Sequence, residues 1–283
     1  MTVPELHYRA GATVRGHLPG HHRSHCGDGG IEFRGHAPLW AAPDPRRLDL
    51  HASLRDPFGE WQVRLHSQRL SMAVVMVADL SASMAFEGRR RKLDVLADFV
   101  ASLAWSAWRV RDRFGFIGCD TVVRQDWLHL PVRASATGAA LAQALRGFTP
   151  AGPSARSAAG LLLAPAWLQR QRALVFLVSD FHLPLAQVQQ VLAGLAAHAV
   201  VPVVLWDPLE FTLGSVSGLL HTHDPESGRR RLVWWRPALR ERWQRAHEAR
   251  RAALKQIFTA QGLRPLFVEG GFDADAVTRH FLL

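Results

Sequence analysis

The chain has 283 residues, of which 48% are hydrophobic and 20% are charged, a composition that can bury a sizeable core and excludes a disordered protein. Lys and Arg number 34 against 24 Asp and Glu, and the formal charge of +10 favours acidic proteins, nucleic acid or anionic membranes as partners. Two cysteines, Cys26 and Cys119, exclude a disulfide framework. Since neither a secretory signal nor a membrane-length apolar run is apparent, we expect a soluble, cytoplasmic protein.

The first 70 residues are predicted to form an extension to the main fold. Residues 1–45 are rich in Gly, His and Pro without a sustained period, which indicates an irregular arm. Residues 46–54 and 61–69 alternate between apolar and polar side chains on either side of an Asp-Pro-Phe-Gly turn. This pattern is typical of two short strands joined by a turn, so residues 1–70 are interpreted as an arm followed by a β-hairpin.

From residue 71 onward, strand-sized apolar runs alternate with helical patterns. Most of the runs are continuously apolar, as expected for strands that are covered on both faces. The predicted strands span residues 73–78, 114–119, 122–130, 173–179 and 200–206, and the predicted helices span residues 89–111, 135–146, 154–169 and 185–197. This order predicts an α/β fold, with a doubly wound, mostly parallel sheet and helices on both faces.

An insertion near residues 207–262 interrupts the alternation. His221–Asp224 and Arg229–Trp235 predict a hairpin, and a long basic helix follows from Pro237 to Gln261. The helix carries a stripe that is expected to face the core, formed by Leu239, Trp243, Ala246, Arg250, Leu254, Ile257 and Phe258. A strand at residues 266–268 and a short terminal helix complete a predicted domain over residues 71–283.

Two of the predicted buried strands end in an aspartate, Asp79 and Asp180. In a doubly wound sheet, the binding crevice lies at the carboxyl ends of the strands, where the strand order reverses. Asp79 opens a D-x-S-x-S motif with Ser81 and Ser83, whose alternate residues direct one carboxylate and two hydroxyls toward a common point. Hard divalent cations prefer such oxygen ligands, so the pattern predicts a site for Mg²⁺, or for Mn²⁺ or Ca²⁺.

At these residues the sequence resembles the von Willebrand factor A-type domain, over residues 72–283. The metal-ion-dependent adhesion site (MIDAS) of that family begins with D-x-S-x-S and adds a threonine from a Gly-rich loop and an aspartate at the end of the fourth strand. Asp180 matches the aspartate, and Ser154 in the loop at residues 150–154 is the best match to the threonine. The resemblance implies a metal site formed by Asp79, Ser81, Ser83, Ser154 and Asp180.

The upstream sequence is similar to domain of unknown function family 58. Glu32-Phe33 and the segment Pro43–Asp49 resemble the signature of that family, with Leu50 where tryptophan is usual. Asp207-Pro208 with Glu210, and the segment Asp224–Gly228, are also similar to it. Members accompany MoxR-type AAA+ ATPases, and this chain resembles the short soluble members found with methanol-oxidation genes, the MxaS type.

The resemblance implies protein recognition rather than catalysis. In the von Willebrand factor A family, a glutamate or aspartate of a partner completes the coordination of the metal. We therefore expect a non-catalytic adaptor for a MoxR-type ATPase that matures or remodels a client, such as a metalloenzyme or a dehydrogenase complex. The basic residues beside the site are weaker candidates for receiving an acidic partner: Arg89, Arg90, Arg91 and Lys92.

Three other interpretations stay open. The aspartates and serines of the motif are also typical of helix caps. A soft-metal site would draw on a cluster without organised spacing, His17, His21, His22, His25 and Cys26, or on His221 and His223. The basic stretch from Arg229 to Lys255, with Trp234, Trp235 and Trp243, favours nucleic-acid binding beside a vestigial metal site. An enzyme is not expected, because the chain lacks a Walker loop, a G-x-S-x-G elbow and a second acid two residues after Asp79.

Overall fold

The computed structural model describes residues 3–8, 19–23, 32–67, 69–168, 172–211, 218–223 and 230–282. These residues belong to two compact units. Met1–Arg9 and Ala73–Leu283 make up the larger unit, and Ala10–Met72 make up the smaller one. The aspartates and serines of the predicted metal site all fall in the larger unit.

The smaller unit consists of short antiparallel strand pairs and one short helix. Its elements are β1 (Pro19–Arg23), β2 (Glu32–Pro38), α1 (Leu50–Leu54), β3 (Gln62–Ser67) and β4 (Arg69–Leu70). β1 pairs with β4, and β2 pairs with β3. The strand predicted over residues 61–69 is therefore found, but its partner comes from residues that were predicted to be irregular.

The strand predicted over residues 46–54 is wrong. A 3-10 turn at Pro45–Arg47 and then α1 occupy this stretch. Aspartates explain the difference, because the Asp44 and Asp49 side chains accept hydrogen bonds from the backbone N–H groups of Arg46 and Ala52. Such side-chain caps start helical turns and outweigh a short alternating pattern.

The larger unit is built on a six-stranded sheet. Its strands are β5 (Ala73–Asp79), β6 (Arg113–Cys119), β7 (Val123–Val132), β8 (Leu174–Ser179), β9 (Ala199–Trp206) and β12 (Leu266–Glu269), whereas β10 (Gly218–His223) and β11 (Arg230–Trp235) form a separate antiparallel hairpin. The sheet order is β12-β9-β8-β5-β6-β7, and all neighbours are parallel except β6 and β7. The order reverses between β5 and β8, as in doubly wound α/β sheets.

Helices cover both faces of this sheet. They are α2 (Lys92–Arg109), α3 (Thr137–Gly147), α4 (Leu185–Gly194), α5 (Pro237–Ala260) and α6 (Ala274–Leu282). On one face, Phe99 of α2 packs against Phe176 of β8, with ring centroids 5.5 Å apart. On the other face, α4 and the C-terminal part of α5 join the core cluster, which includes Val77, Leu177 and Phe258. The predicted α/β class and the doubly wound, mostly parallel sheet are confirmed.

The helix predicted over residues 154–169 is wrong. The structure has three separate 3-10 turns there, Pro153–Arg156, Ala159–Leu162 and Ala164–Trp167. Pro165 explains the start of the last turn, because proline lacks an N–H group and is disfavoured inside a continuous helix but tolerated in a first turn, where it lies here.

Helix α5 is buried only toward its C-terminal end, where Leu254 and Phe258 lie in the core. Trp243, expected on the core-facing stripe, is 43% exposed, so that interpretation is wrong. A helix of 24 residues extends for about 36 Å, whereas a strand of 8 residues spans about 27 Å. The first turns of α5 therefore have no sheet to cover. Within the described part of the chain, none of the helices is long and apolar enough to cross a membrane.

Candidate metal centre

The candidate site lies where the strand order reverses. β5 ends at Asp79 and the neighbouring strand β8 ends at Ser179, directly before Asp180. Asp79 and Asp180 are both 1% exposed, so two carboxylates are buried at adjacent strand ends. Burial of two like charges is costly unless each is hydrogen-bonded or paired with a cation.

The serines of the D-x-S-x-S motif lie beside the two carboxylates. The Ser81 and Ser83 hydroxyl oxygens lie 3.2 Å apart, within hydrogen-bonding distance of each other. Burial disfavours ionisation of both carboxyls, and against this effect Ser81 lowers the pKa of the Asp79 carboxyl, and Ser83 lowers that of the Asp180 carboxyl. The motif therefore places two hydroxyl oxygens beside the two carboxylates, an arrangement that a hard cation would stabilise.

Further groups hold Asp79 in place. Its Oδ2 accepts a hydrogen bond from the Ser179 hydroxyl at 2.7 Å, and its Oδ1 accepts one from the Ser81 backbone N–H at 2.9 Å. Burial, and next the charge of Asp180, raise the pKa of Asp79 to about 6. A positive charge beside Asp79 would therefore stabilise its ionised carboxylate.

Asp180 forms an ion pair with the buried side chain of Lys92. The Lys92 ammonium group lies 3.0 Å from Asp180 Oδ2 and 2.5 Å from Glu210 Oε1. Burial opposes ionisation of Asp180, but the charge of Lys92 prevails and lowers the pKa of this carboxyl to about 2. The same two carboxylates raise the pKa of Lys92 despite its burial. Lys92 is therefore charged in the folded protein.

The loops that carry these side chains are anchored to one another. The Asp207 carboxylate accepts hydrogen bonds from the backbone N–H groups of Arg89 and Leu209, both at 2.8 Å, and so connects the loop before Lys92 to the turn that carries Glu210. Gly88 allows this approach, since a Cβ atom there would meet the Asp207 carboxylate carbon at 2.2 Å.

The loop after Asp180 adopts a strained conformation. Phe181 has a φ of +53°, which is uncommon for a residue with a side chain. Its N–H donates to the Ser179 hydroxyl at 2.9 Å, its ring packs against Phe258 of α5, and the Arg250 guanidinium donates to its carbonyl. Strain that is held in this way is typical of functional loops.

The structure brings together Asp79, Ser81, Ser83 and Asp180, which were predicted from the sequence. Ser154 lies in the 3-10 turn Pro153–Arg156, but its side chain falls outside the described part of the chain. The residues His17, His25 and Cys26, and the side chains of His21 and His22, also fall outside it.

The four basic residues beside the site have different environments. Arg89 and Arg90 are exposed, and Arg91 donates hydrogen bonds to the carbonyls of Arg146 and Phe148. Lys92 is buried against Asp180 and Glu210, so it does not belong to the basic surface predicted from the run of four.

Sequence reasoning missed three contributors to the site: Ser179, Glu210 and Lys92 as an internal ion-pair partner. A serine directly before a strand-end aspartate is a weak signal, and Glu210 lies 118 residues after Lys92. Asp180, His182 and Glu210 also have potential ligand atoms within 4.8 Å of one another.

A second surface lies on the same unit. We call residues 218–223 and 230–246 the Arg/Trp surface; they comprise the β10–β11 hairpin and the first turns of α5. On one face of the hairpin, Leu219 pairs with Trp234 and His221 pairs with Leu232. The side chains of Leu219, Leu232 and Trp234 are each more than half exposed. Four arginines on this surface are also exposed: Arg230, Arg236, Arg242 and Arg245. The Trp243 indole N–H donates to the Glu210 carbonyl at 3.2 Å, which connects this surface to the metal centre.

The donor set fits a hard divalent cation. The converging groups are carboxylate and hydroxyl oxygens, which are the ligand types that such an ion prefers. Asp79, Ser81, Ser83 and Asp180 are the residues that would hold such an ion.

Comparison with known proteins identifies related sequences. The sequence profile described as "Protein of unknown function DUF58" matches residues 43–253. A protein from Paracoccus denitrificans named "Uncharacterized protein in moxR 3'region" is 36% identical over 99 residues, which are 35% of this chain and 94% of that protein.

Two solved structures are similar at low identity. BatB from Bacteroides thetaiotaomicron, a conserved hypothetical protein, is 12% identical, with a TM-score of 0.45 over 75% of this chain and 96% of the BatB chain. The SpRpn10 VWA domain is 10% identical, with a TM-score of 0.40 over 74% of this chain and 95% of that domain. These likenesses are remote, and the fold described above follows from the sheet order itself.

Proposed function

We propose a function from the premise that this chain belongs to the DUF58 family: it is a non-catalytic protein-recognition module that depends on a divalent cation and acts as an adaptor for a MoxR-type AAA+ ATPase. The observation that carries the proposal is the pair of buried carboxylates, Asp79 and Asp180, with the Ser81 and Ser83 hydroxyls at the same switch point of the sheet.

The donor set suits recognition of an acidic side chain. Two of the four ligand residues are neutral hydroxyls, and Asp180 already shares its charge with Lys92. A hard cation such as Mg²⁺ bound there would keep much of its charge and attract a carboxylate from a partner. The Arg/Trp surface, connected to the site through Trp243 and Glu210, would favour approach of the same acidic partner.

The name of the Paracoccus denitrificans relative supports the choice of partner. That protein is placed by its name in the 3' region of moxR. Genes kept together often encode proteins that act together, so a MoxR-type ATPase is the first partner to test. The client would be the protein that this ATPase matures or remodels.

A binding assay with purified components tests the proposal. The full chain is immobilised, and a MoxR-type ATPase from the same genome is passed over it in Mg²⁺ or in chelator. We expect binding in Mg²⁺, at least a tenfold loss in chelator, and a similar loss for Asp79→Ala. Asp126→Ala is the matched control, because Asp126 is an exposed carboxylate on β7 that pairs with Arg124. Equal binding in Mg²⁺ and chelator would contradict the metal-dependent role.

Nucleic-acid binding is a second candidate, favoured by the exposure of Trp234 and Trp243 among arginines. Exposed aromatic rings can stack on bases, and arginines neutralise phosphates. Fluorescence anisotropy with a labelled single-stranded oligonucleotide at several salt concentrations tests this function. Tight binding that falls steeply with salt and is weakened by Trp234→Ala would favour it over the adaptor role.

A further inference from the structure

We propose that Lys92 is a built-in cation of the metal centre, which holds Asp180 and Glu210 together without metal and limits how tightly the site binds a divalent ion. The inference rests on the proposed function only in assuming that a divalent ion binds beside Asp79. No feature of the sequence motif assigns this role to a lysine.

The geometry of the Lys92 side chain carries the inference. Its ammonium nitrogen contacts one oxygen of Asp180 and one of Glu210, at 3.0 and 2.5 Å. The Lys92 side chain is 3% exposed, and that of Glu210 is 11% exposed, so water does little to screen these charges. A lysine buried this deeply requires such partners, because an unpaired ammonium group is strongly destabilising in an interior.

The position of Lys92 also determines how many ions the site can take. Asp180, His182 and Glu210 would by themselves form a possible set of metal ligands, with ligand atoms within 4.8 Å of one another. The Lys92 ammonium group already lies against two of these three residues. It therefore fills the place of a second cation, and we expect one divalent ion per chain, on the side of Asp79.

Counting charges gives the direction of the expected effects. Asp79, Asp180 and Glu210 contribute three negative charges and Lys92 one positive charge, so the ionised cluster has a net charge of about −2, which a divalent ion neutralises. Removing the lysine charge leaves about −3, and removing the Glu210 charge leaves about −1. The two changes should therefore shift metal affinity in opposite directions.

Titration with Mn²⁺, followed by electron paramagnetic resonance of the free ion, tests this in the full chain. We expect Lys92→Met to bind Mn²⁺ about tenfold more tightly than the unaltered protein, and Glu210→Gln about tenfold more weakly. Thermal unfolding without metal is a second readout. Lys92→Met should unfold at a lower temperature, and Mn²⁺ should raise its unfolding temperature by more than that of the unaltered protein.

Arg89→Met is the matched control, because the exposed Arg89 side chain lies three residues from Lys92 and its hydrogen bond to Asp207 comes from the backbone. Its Mn²⁺ affinity should stay within about twofold of that of the unaltered protein. Weaker or unchanged affinity in Lys92→Met, or shifts of both variants in the same direction, would overturn the role of Lys92. If Lys92→Met fails to fold even with Mn²⁺, Lys92→Gln, which also removes the charge but can still hydrogen-bond to the two carboxylates, takes its place and should likewise bind Mn²⁺ more tightly.

The outcomes also separate this inference from the proposed function. If the unaltered protein binds no Mn²⁺ and Lys92→Met does, Lys92 is the resident cation and the metal-dependent adaptor role is wrong. If the unaltered protein binds Mn²⁺ and the two variants do not diverge, the adaptor role stands and the inference about Lys92 is wrong. If none of the three proteins binds Mn²⁺, both are wrong.

Discussion

The candidate metal centre and the Arg/Trp surface belong to one unit of the protein but differ in their exposure to solvent. At the candidate metal centre, Asp79, Asp180 and Lys92 are all buried; Lys92 pairs with Asp180, and the Ser179 hydroxyl donates to Asp79. On the Arg/Trp surface, Trp234 is 64% exposed among arginines. Helix α5 connects the two, since its C-terminal part lies in the core and its first turns are exposed.

Solvent exposure determines where recognition and stability are coupled. A buried polar cluster is rigid and specific, but every change to it also changes the stability of the fold. An exposed aromatic and basic surface contributes little to folding, so its residues are free to serve binding alone. Substitutions at the metal centre should therefore alter both stability and recognition, and substitutions on the Arg/Trp surface should alter recognition alone.

The largest effect is expected at Asp180. Asp180→Ala should lower the free energy of unfolding by about 3 kcal/mol, because Lys92 keeps only Glu210 as a buried partner. Urea unfolding of the metal-free protein measures this change. Arg236→Ala, on the Arg/Trp surface, is the control and should change stability by less than about 0.5 kcal/mol. A loss below about 1 kcal/mol at Asp180 would remove the contrast between the two regions.

A smaller effect is expected where the loops of the metal centre meet. Gly88→Ala should destabilise the protein by about 2 kcal/mol, because the added Cβ would lie 2.2 Å from the Asp207 carboxylate carbon and force the loops apart. Gly147→Ala, at the end of α3, is the control, since its Cβ would meet no atom within 4 Å. Thermal unfolding of both variants measures the difference. Equal stability would show that the loop before Lys92 is not tightly held.

A partly buried hydrogen bond between Tyr8 and Asp112 shows what one ionisable pair outside both regions contributes to stability. The Tyr8 hydroxyl donates to Asp112 Oδ2 at 2.7 Å, and burial followed by the charge of Asp112 raises the pKa of Tyr8 well above its usual value. Since the folded pKa exceeds the unfolded value of about 10, this stabilisation is fully present below about pH 10 and is lost as the pH rises through the folded pKa.

Tyr8→Phe should cost about 1 kcal/mol near neutral pH and should remove the part of the stability loss above about pH 10 that comes from this hydroxyl. Urea unfolding at several pH values measures both effects. Tyr8 is the single tyrosine of the chain, so tyrosinate absorbance reports its ionisation directly. Ionisation of Tyr8 in the folded protein at the pH of a free tyrosine would contradict the expectation.

The sequence predicts the sheet well because its strands are continuously apolar. β5 and β8 are recognisable from local composition, and Asp79, Ser81, Ser83 and Asp180 follow from their positions at the strand ends. Glu210 is different, because it reaches Lys92 only through the tertiary arrangement of two distant loops. A charged run such as residues 89–92 gives no signal that its last member turns inward.

Two effects account for the remaining differences between the predicted and the observed structure. The side chains of Asp44 and Asp49 cap backbone N–H groups and produce helical turns where alternation indicated a strand. Along α5 the apolar periodicity continues past the edge of the sheet, so Trp243 has the spacing of a core residue without a core to enter. Periodicity indicates which face of a helix is apolar but not where its partner ends.

The smallest effect on stability is expected at Trp234. A substitution there should change the affinity for a partner much more than it changes the free energy of unfolding. Trp234→Ala should change the free energy of unfolding by less than about 0.5 kcal/mol, because the side chain is 64% exposed. Its neighbour Trp235 lies on the opposite face of β11 and is 4% exposed, so Trp235→Ala should cost about 3 kcal/mol.

Binding of the MoxR-type ATPase in Mg²⁺ then decides what the exposed ring does. A loss of affinity in Trp234→Ala without loss of stability would assign the Arg/Trp surface to recognition, whereas unchanged affinity would restrict recognition to the metal centre. Because Trp234 and Trp235 are adjacent in sequence and differ in burial, comparing the two variants separates loss of a contact from loss of the hairpin. An equal loss of stability in both would mean that the ring of Trp234 is covered in solution, and the comparison between the two regions would fail.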